Sequence, residues 1–153
     1  MTALDVSLFR PIAIGHARTP FKTVADIPKG PGTQHVASGT LELLPEFEEG
    51  LLDIEGFSHL YVIWVFTHSE GYELTGHPPG ETQPHGVFAT RSPYRPNPLA
   101  LTTVELLRRD GPRLDVRGVD MLDGTPILDI KPWSSTIPEE KLKFGWLEKR
   151  MAK

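Results

Sequence analysis

Apolar residues fall in short runs along this chain, and turn-forming residues separate them. The strongest run is 58–67, SHLYVIWVFT, apolar at nearly every position and of strand length. That pattern predicts a central strand covered on both faces. Further strands are expected at 9–17 (FRPIAIGHA), 35–44 (HVASGTLELL), 86–90 (GVFAT), 100–108 (ALTTVELLR), 113–121 (RLDVRGVDM) and 126–130 (PILDI). Asp110-Gly111-Pro112 joins two of them as a hairpin, and Asp123-Gly124 marks a second tight turn. Residues 46–53 suit a helical turn or two, while 18–34 and 68–85 are too rich in Pro, Gly and polar residues for regular structure. Loops as long as 18–34 are often functional. The C-terminal segment, about 137–151, reads as a helix. Ser135 or Thr136 can cap it, Pro138 fits its first turn, and Glu139 and Glu140 suit the positive end of its dipole. Leu142, Trp146, Leu147 and Met151 form its apolar stripe, and Gly145 weakens its interior. With little alternation of strand and helix, the expected class is mainly β: a single-sheet, β-barrel-like domain with long loops and a C-terminal helix. Residues 1–153 are read as one domain with its core at 9–133.

Composition adds exclusions. A length of 153 residues suits one sizeable core. No window approaches the roughly 18 apolar residues of a spanning helix. The N-terminus has neither the basic start nor the long apolar stretch of a secretory signal. Cysteine is absent, which removes disulfides and thiolate metal sites, and the six histidines form no close ligand pairs, so no metal is expected. These features predict a cytoplasmic protein without a membrane partner. A net charge of −4 is not the footprint of a general nucleic-acid binder. The charge is uneven, with four Lys/Arg against ten Asp/Glu in residues 1–77 and twelve against ten in 78–153, so a local positive site has room in the second half.

Three segments carry candidate chemistry. ATRSPYRPNPLAL, 89–101, holds three prolines, each restricting the residue before it. The segment is expected to be stiff and extended, near polyproline II, with Arg91, Tyr94 and Asn97 along one edge. It reads equally as a pre-organised anion clamp or as a crossover whose arginines pair with surface acids. Its PxxP spacing also resembles a ligand of Src-homology-3 domains, although the flanking strands argue against that. Asp129 and Lys131 share one strand face, opposite Ile130, as a plain ion pair or an acid/base pair. His59 opens the central strand, where a hydrogen-bonded structural role is the ordinary outcome. No Walker loop, GxGxxG, GxSxG or HExxH motif is present.

Taken in order, IGHARTPFK, IPKGPG, DIEGFSHLYV, GVFATRSPYRPNPLAL and LDGTPILDIKPW resemble the TsaA-like family over residues 9–133. The resemblance implies a β-barrel-like fold, S-adenosylmethionine as cofactor and a homodimer with the cofactor near its interface. It also implies methylation of N6 of threonylcarbamoyl-adenosine beside the anticodon of tRNA. Carried over by motif, the cofactor site comprises Pro28, Lys29, Gly30, His59, Leu60, Arg91, Leu101, Leu122, Asp123, Gly124 and Thr125. Arg91 suits the methionine carboxylate and Asp123 the ribose hydroxyls. Asp129 is the expected base, with Lys131 tuning it or holding substrate. Tyr94, Arg95 and Asn97 are expected to contact the modified nucleotide. Ala100 and Gly30 depart from the family's usual Gly and Gln, and longer bacterial members continue into a further small domain. The alternative is a cofactor-binding module, or a small-molecule methyltransferase, without tRNA activity.

Overall fold

The computed structural model describes residues 5–30 and 33–151. Pro31 and Gly32 of the first long loop therefore lie outside the described residues, and of Met151 only the backbone is described. Eight strands are present among the described residues: β1 (Gly15–Arg18), β2 (Ser38–Leu43), β3 (His59–Val65), β4 (Thr75–Gly76), β5 (His85–Gly86), β6 (Leu99–Asp110), β7 (Arg113–Arg117) and β8 (Pro126–Pro132). Six of them close into an antiparallel barrel in the order β1-β2-β7-β6-β3-β8, and β4 and β5 form a separate small ribbon. The barrel class expected from the sequence is thus the one observed.

Side chains of alternate residues fill the barrel. Leu60, Val62 and Trp64 of β3 point inward beside Val104 of β6, Leu114 and Val116 of β7, Leu41 of β2 and Ile127 of β8. Each such side chain contributes about 1.5–3 kcal/mol by leaving water. The outward residues of β3 are only half covered, so the strand is buried on one face rather than two. The β6–β7 hairpin turns at Gly111 and Pro112 as expected, with Asp110 opposite Arg113. Between β3 and β8 the pairing slips: Ile63 faces Asp129 while Trp64 faces Ile127, so Leu128 is an extra residue, a β-bulge.

Two local expectations are corrected. Residues 86–90 are not a strand: β5 ends at Gly86 and Val87–Ala89 form a 3-10 turn. The buried Val87 anchors it while Phe88 and Ala89 face out, and so short a segment has no pairing partner that could hold it extended. The helical turn expected at 46–53 is present, as a 3-10 helix over Pro45–Leu51, and a further 3-10 turn follows at Ile54–Gly56. The helix expected at 137–151 shrinks to Glu148–Met151, preceded by 3-10 turns at Glu139–Lys141 and Gly145–Leu147. Gly145 adopts φ +54, a left-handed conformation incompatible with a continuous helix. The apolar stripe also finds no sheet to cover, and Leu142 is left exposed. Instead the segment clips onto the 80–89 loop. Trp146 stacks on His85 at 4.5 Å and donates Nε1 to the Ala89 carbonyl at 2.8 Å. Arg150 and Lys149 reach the Glu81 carboxylate at 2.9 and 3.0 Å.

Candidate functional site

The proline-rich segment is folded rather than extended. The backbone N–H of Arg95 bonds the carbonyl of Pro93, and that of Leu99 bonds the carbonyl of Asn97, each closing a tight three-residue turn. These turns break the three-residue repeat that would have aligned Arg91, Tyr94 and Asn97. Neighbouring loops hold the segment from outside, through Glu73 N–H to Tyr94 O and Ser69 Oγ to Pro93 O. Arg95 is turned back on the segment itself, its Nη1 donating to the carbonyls of Thr90 and Ser92 at 2.9 and 3.1 Å. It acts as an internal brace. Tyr94 and Asn97 are exposed.

Arg91 stands at a gap in the barrel wall. β7 pairs with β6 only from Glu105 onward, because the chain beyond Arg117 leaves the sheet. Carbonyls of the first half of β6 are therefore open on that side. Leu101 O accepts from Arg91 Nη1 at 3.3 Å. Behind Arg91 lies a polar chain inside an otherwise apolar barrel. Trp64 Nε1 donates to Thr102 Oγ1 at 2.9 Å, and Thr102 Oγ1 donates to Asp120 Oδ1 at 2.5 Å. His35 Nε2 sits 3.9 Å from Asp120 Oδ2. Burial pushes the Asp120 carboxyl above its usual range, while the Thr102 hydrogen bond and the nearby His35 and Arg91 work in the other direction. Sequence reasoning missed this group. Its one signal was Thr102, a polar residue at an inward position of β6.

The 121–125 turn closes the same end of the barrel. Gly124 takes φ +84, open to glycine without strain, and its N–H bonds the Ala17 carbonyl. Thr125 is buried and donates to Leu122 O at 2.7 Å. Asp123 receives the Thr19 N–H at 3.0 Å and the Lys22 ammonium at 2.7 Å, and Lys22 and Thr19 hold its carboxyl below the usual carboxylate range. Asp123 thereby ties the first long loop to the turn. That loop carries Pro28, Lys29 and Gly30 and returns through His35 beside Asp120. Thr33 Oγ1 braces it on the carbonyls of Lys29 and Gly30.

The remaining sequence candidates lie elsewhere on the barrel. His59 is exposed at the far end of β3, with Ser58 Oγ at 2.8 Å and Trp133 at 6.5 Å. From Ile63, the partner of Leu101, it is four residues away, or about 13 Å along the strand. Leu60 points into the core and offers only its backbone. Asp129 and Lys131 pair at 2.9 Å on the outer wall with 46% and 61% of their side chains exposed. Asp129 shares Ile63 as a neighbour with Leu101, so it lies two strands from the Arg91 contact, about 10 Å across the sheet. Two shallow hollows, of about 420 and 240 Å³, sit around Pro45–Leu51 and Ile54–Gly56 at the opposite end, away from Arg91. Among the described residues no cluster of His, Asp and Glu could hold a metal ion, and no helix is long and apolar enough to cross a membrane.

Residues 16–138 match the family model of the tRNA-methyltransferase O N-terminal domain. The chain belongs to this family. It is 38% identical over 153 aligned residues to the tRNA (adenine(37)-N6)-methyltransferase of Escherichia coli, covering 92% of this chain and 65% of that protein. It is 42% identical over 124 residues to an S-adenosyl-L-methionine-binding protein of Archaeoglobus fulgidus, covering 81% of this chain and 88% of that one. The crystal structure of TrmO from Pseudomonas aeruginosa superposes with a TM-score of 0.73 at 34% identity, covering 92% of this chain and 63% of that one. The chain thus spans less than two thirds of the E. coli protein and of the P. aeruginosa structure. The matched region of the family model contains the barrel strands β2 to β8, the gap at Arg91 and the 121–125 turn, which places the candidate site within the shared part.

Proposed function

We propose that this chain transfers a methyl group from S-adenosylmethionine to N6 of threonylcarbamoyl-adenosine beside the anticodon of tRNA. It does so in the cytoplasm as a homodimer whose protomers each fold as one domain over residues 1–153. The observation that carries the reading is Arg91, fixed on the Leu101 carbonyl at a gap in the barrel wall beside the 121–125 turn. The residues there suit the cofactor. A guanidinium matches the methionine carboxylate, and backbone groups of Leu101 and of Leu122 to Thr125 can read an adenine edge. Asp123, although held by Thr19 and Lys22, keeps lone pairs for ribose hydroxyls. When bound, the cofactor supplies an electrophilic methyl on sulfur.

The acceptor nitrogen has a lone pair delocalised into its ureido carbonyl, so transfer needs in-line placement and removal of the N6 proton. Asp129 is the proposed proton acceptor, with Lys131 2.9 Å away to hold the substrate carboxylate or tune the base. Tyr94 and Asn97, exposed beside the gap, are the proposed contacts to the modified base, and Arg95 supports them by bracing their segment. His59 and Leu60 lie too far along β3 to join Arg91 within one chain. A second copy is the route by which they would reach a cofactor. Exposed Leu99, Leu101 and Phe88 near the gap favour such an association.

The experiment is incubation with methyl-labelled S-adenosylmethionine and total tRNA, followed by digestion to nucleosides. Label is expected in threonylcarbamoyl-adenosine, and none there would overturn the transfer reading. Cofactor binding without transfer is the second reading. It is favoured by the A. fulgidus relative, named for binding alone and 88% covered by the alignment. Binding in calorimetry with an unlabelled nucleoside pool would select it.

A further inference from the structure

Two incomplete polar groups lie behind the gap at Arg91. Asp120 Oδ1 is satisfied by Thr102, itself locked by Trp64. Asp120 Oδ2 accepts no hydrogen bond from another residue among those described, since His35 Nε2 at 3.9 Å is beyond hydrogen-bonding reach. His35 Nδ1 is buried without a partner among the described residues. Buried polar groups in finished structures are nearly always paired, so the unpaired His35 Nδ1, on a ring whose other nitrogen faces the donor-free Asp120 Oδ2, points to something that completes this corner. Trp64 and Thr102 are 6% and 5% exposed, so the chain that aims Asp120 is built into the barrel and is not a surface accident. A carboxylate at such a position is costly to bury, and an apolar residue would serve the barrel better if packing were the only demand.

The charges have a particular arrangement. Arg91 is fixed on the carbonyl of Leu101 and Asp120 on the hydroxyl of the next residue, Thr102, yet the two do not close into a salt bridge. A fixed cation and a fixed anion, held close but apart around one opening, are complementary to a zwitterion. The methyl donor carries one at its amino-acid end, where the α-ammonium and α-carboxylate are joined through a single carbon.

We infer that Asp120 is a cofactor-binding residue whose free Oδ2 accepts the α-ammonium of S-adenosylmethionine while Arg91 takes the α-carboxylate. The inference rests on the reading that this chain binds S-adenosylmethionine. Thr102 and Trp64 are positioning residues that fix the carboxylate's rotation without touching the ligand.

Calorimetry on the full chain tests it with three ligands: S-adenosylmethionine, S-adenosylhomocysteine and the deamino analogue of the latter. Asp120→Asn keeps the size of the side chain and its acceptor for Thr102, but turns an N–H towards the ammonium. A charge-assisted hydrogen bond of this kind corresponds to a loss on the order of tenfold or more in affinity. Asp120→Asn is expected to weaken S-adenosylmethionine and S-adenosylhomocysteine alike by that factor. The deamino analogue should bind the native chain and Asp120→Asn with equal, weak affinity. Equal affinity of both proteins for S-adenosylmethionine would overturn the inference and leave the cofactor reading standing. Weakening of S-adenosylmethionine alone would assign the carboxylate to the sulfonium and overturn it too. No heat with the native chain would bring down the cofactor reading and the inference with it. If Asp120→Asn does not fold, Thr102→Val and Thr102→Ser replace it. Val should weaken both amino ligands severalfold and Ser should restore them, whereas identical affinities for Val and native would count against Asp120.

Discussion

Glu81 and Asp120 have both lost most of their water, and their surroundings differ. Glu81, its side chain 3% exposed, is enclosed by Arg150, Lys149 and His85, and the hydrogen bonds of Lys149 and Arg150 pull its carboxyl down to about 2. Asp120, its side chain 25% exposed, has one hydroxyl donor, and burial pushes its carboxyl up. The Glu81 cluster is complete within the chain and fastens the C-terminal segment to the loop that leads into Arg91. The Asp120 cluster is incomplete and faces an opening. A saturated buried charge marks architecture, and an unsaturated one marks a place for a ligand.

The largest effect expected concerns a third carboxylate, Asp129, which has one partner and ample water. If it takes the N6 proton, Asp129→Asn should lower the rate of methyl transfer to tRNA by about 10²–10⁴-fold. Its cofactor affinity in calorimetry should be unchanged. Full activity would remove Asp129 as base and shift attention to the buried pair. Next in size, Arg91→Ala should weaken S-adenosylmethionine by roughly 10–100-fold, as expected for losing a charged hydrogen-bonding partner. Undiminished heat from that variant would dissociate the gap from the cofactor altogether.

The smallest effects are on stability, and the two buried carboxylates should move it in opposite directions. The folded Glu81 carboxyl titrates below its ordinary value of 4.5. Its contribution is therefore fully present above that value and is lost as pH falls towards about 2. Asp120 titrates above its ordinary value of 3.8, so its contribution is present below that value and is lost as pH rises through the raised one. At neutral pH, Glu81→Gln should lower the melting temperature and Asp120→Asn should raise it, each by a few degrees. Melts of the same sign for both variants would dissolve the contrast between them. An acid titration of the native chain should also release Trp146 from His85, visible as a fluorescence change absent from Trp146→Phe.

The legible features were the ones written locally. The run around Val62, the turn at Gly111 and the Asp123-Gly124 turn each declare themselves within a few residues, and the barrel follows from strands of that length and number. Arg91, Leu101 and the 122–125 turn came from the resemblance; Arg91 reaches the Leu101 carbonyl, and the turn lies at the same end of the barrel, fastened to Ala17 and Thr19. His35, Thr102 and Asp120 come from three separated stretches, and only closure of the barrel brings them into contact. No periodicity in the chain announces such a meeting. The proline-rich segment was expected to be extended, but its folded shape depends on Glu73 and Ser69 from another loop. The C-terminal stripe looked helical because its spacing is helical. Its partner, however, was a loop carrying His85 and Glu81, and one left-handed glycine was enough to divide it.

The bulge opposite Ile63 and Trp64 gives β8 a peculiar arithmetic. Its core contacts are Ile127 and Ile130, an odd interval, while Asp129 and Lys131 count off the outer wall. Leu128 is the residue that makes the interval odd, for it has no opposite number on β3. Losing Ile130 would exchange inside for outside from there on and carry Lys131 into the barrel. At Leu128 the parity of the strand is already interrupted, so the chain could shorten by one residue there and keep each side chain on its present side of the wall.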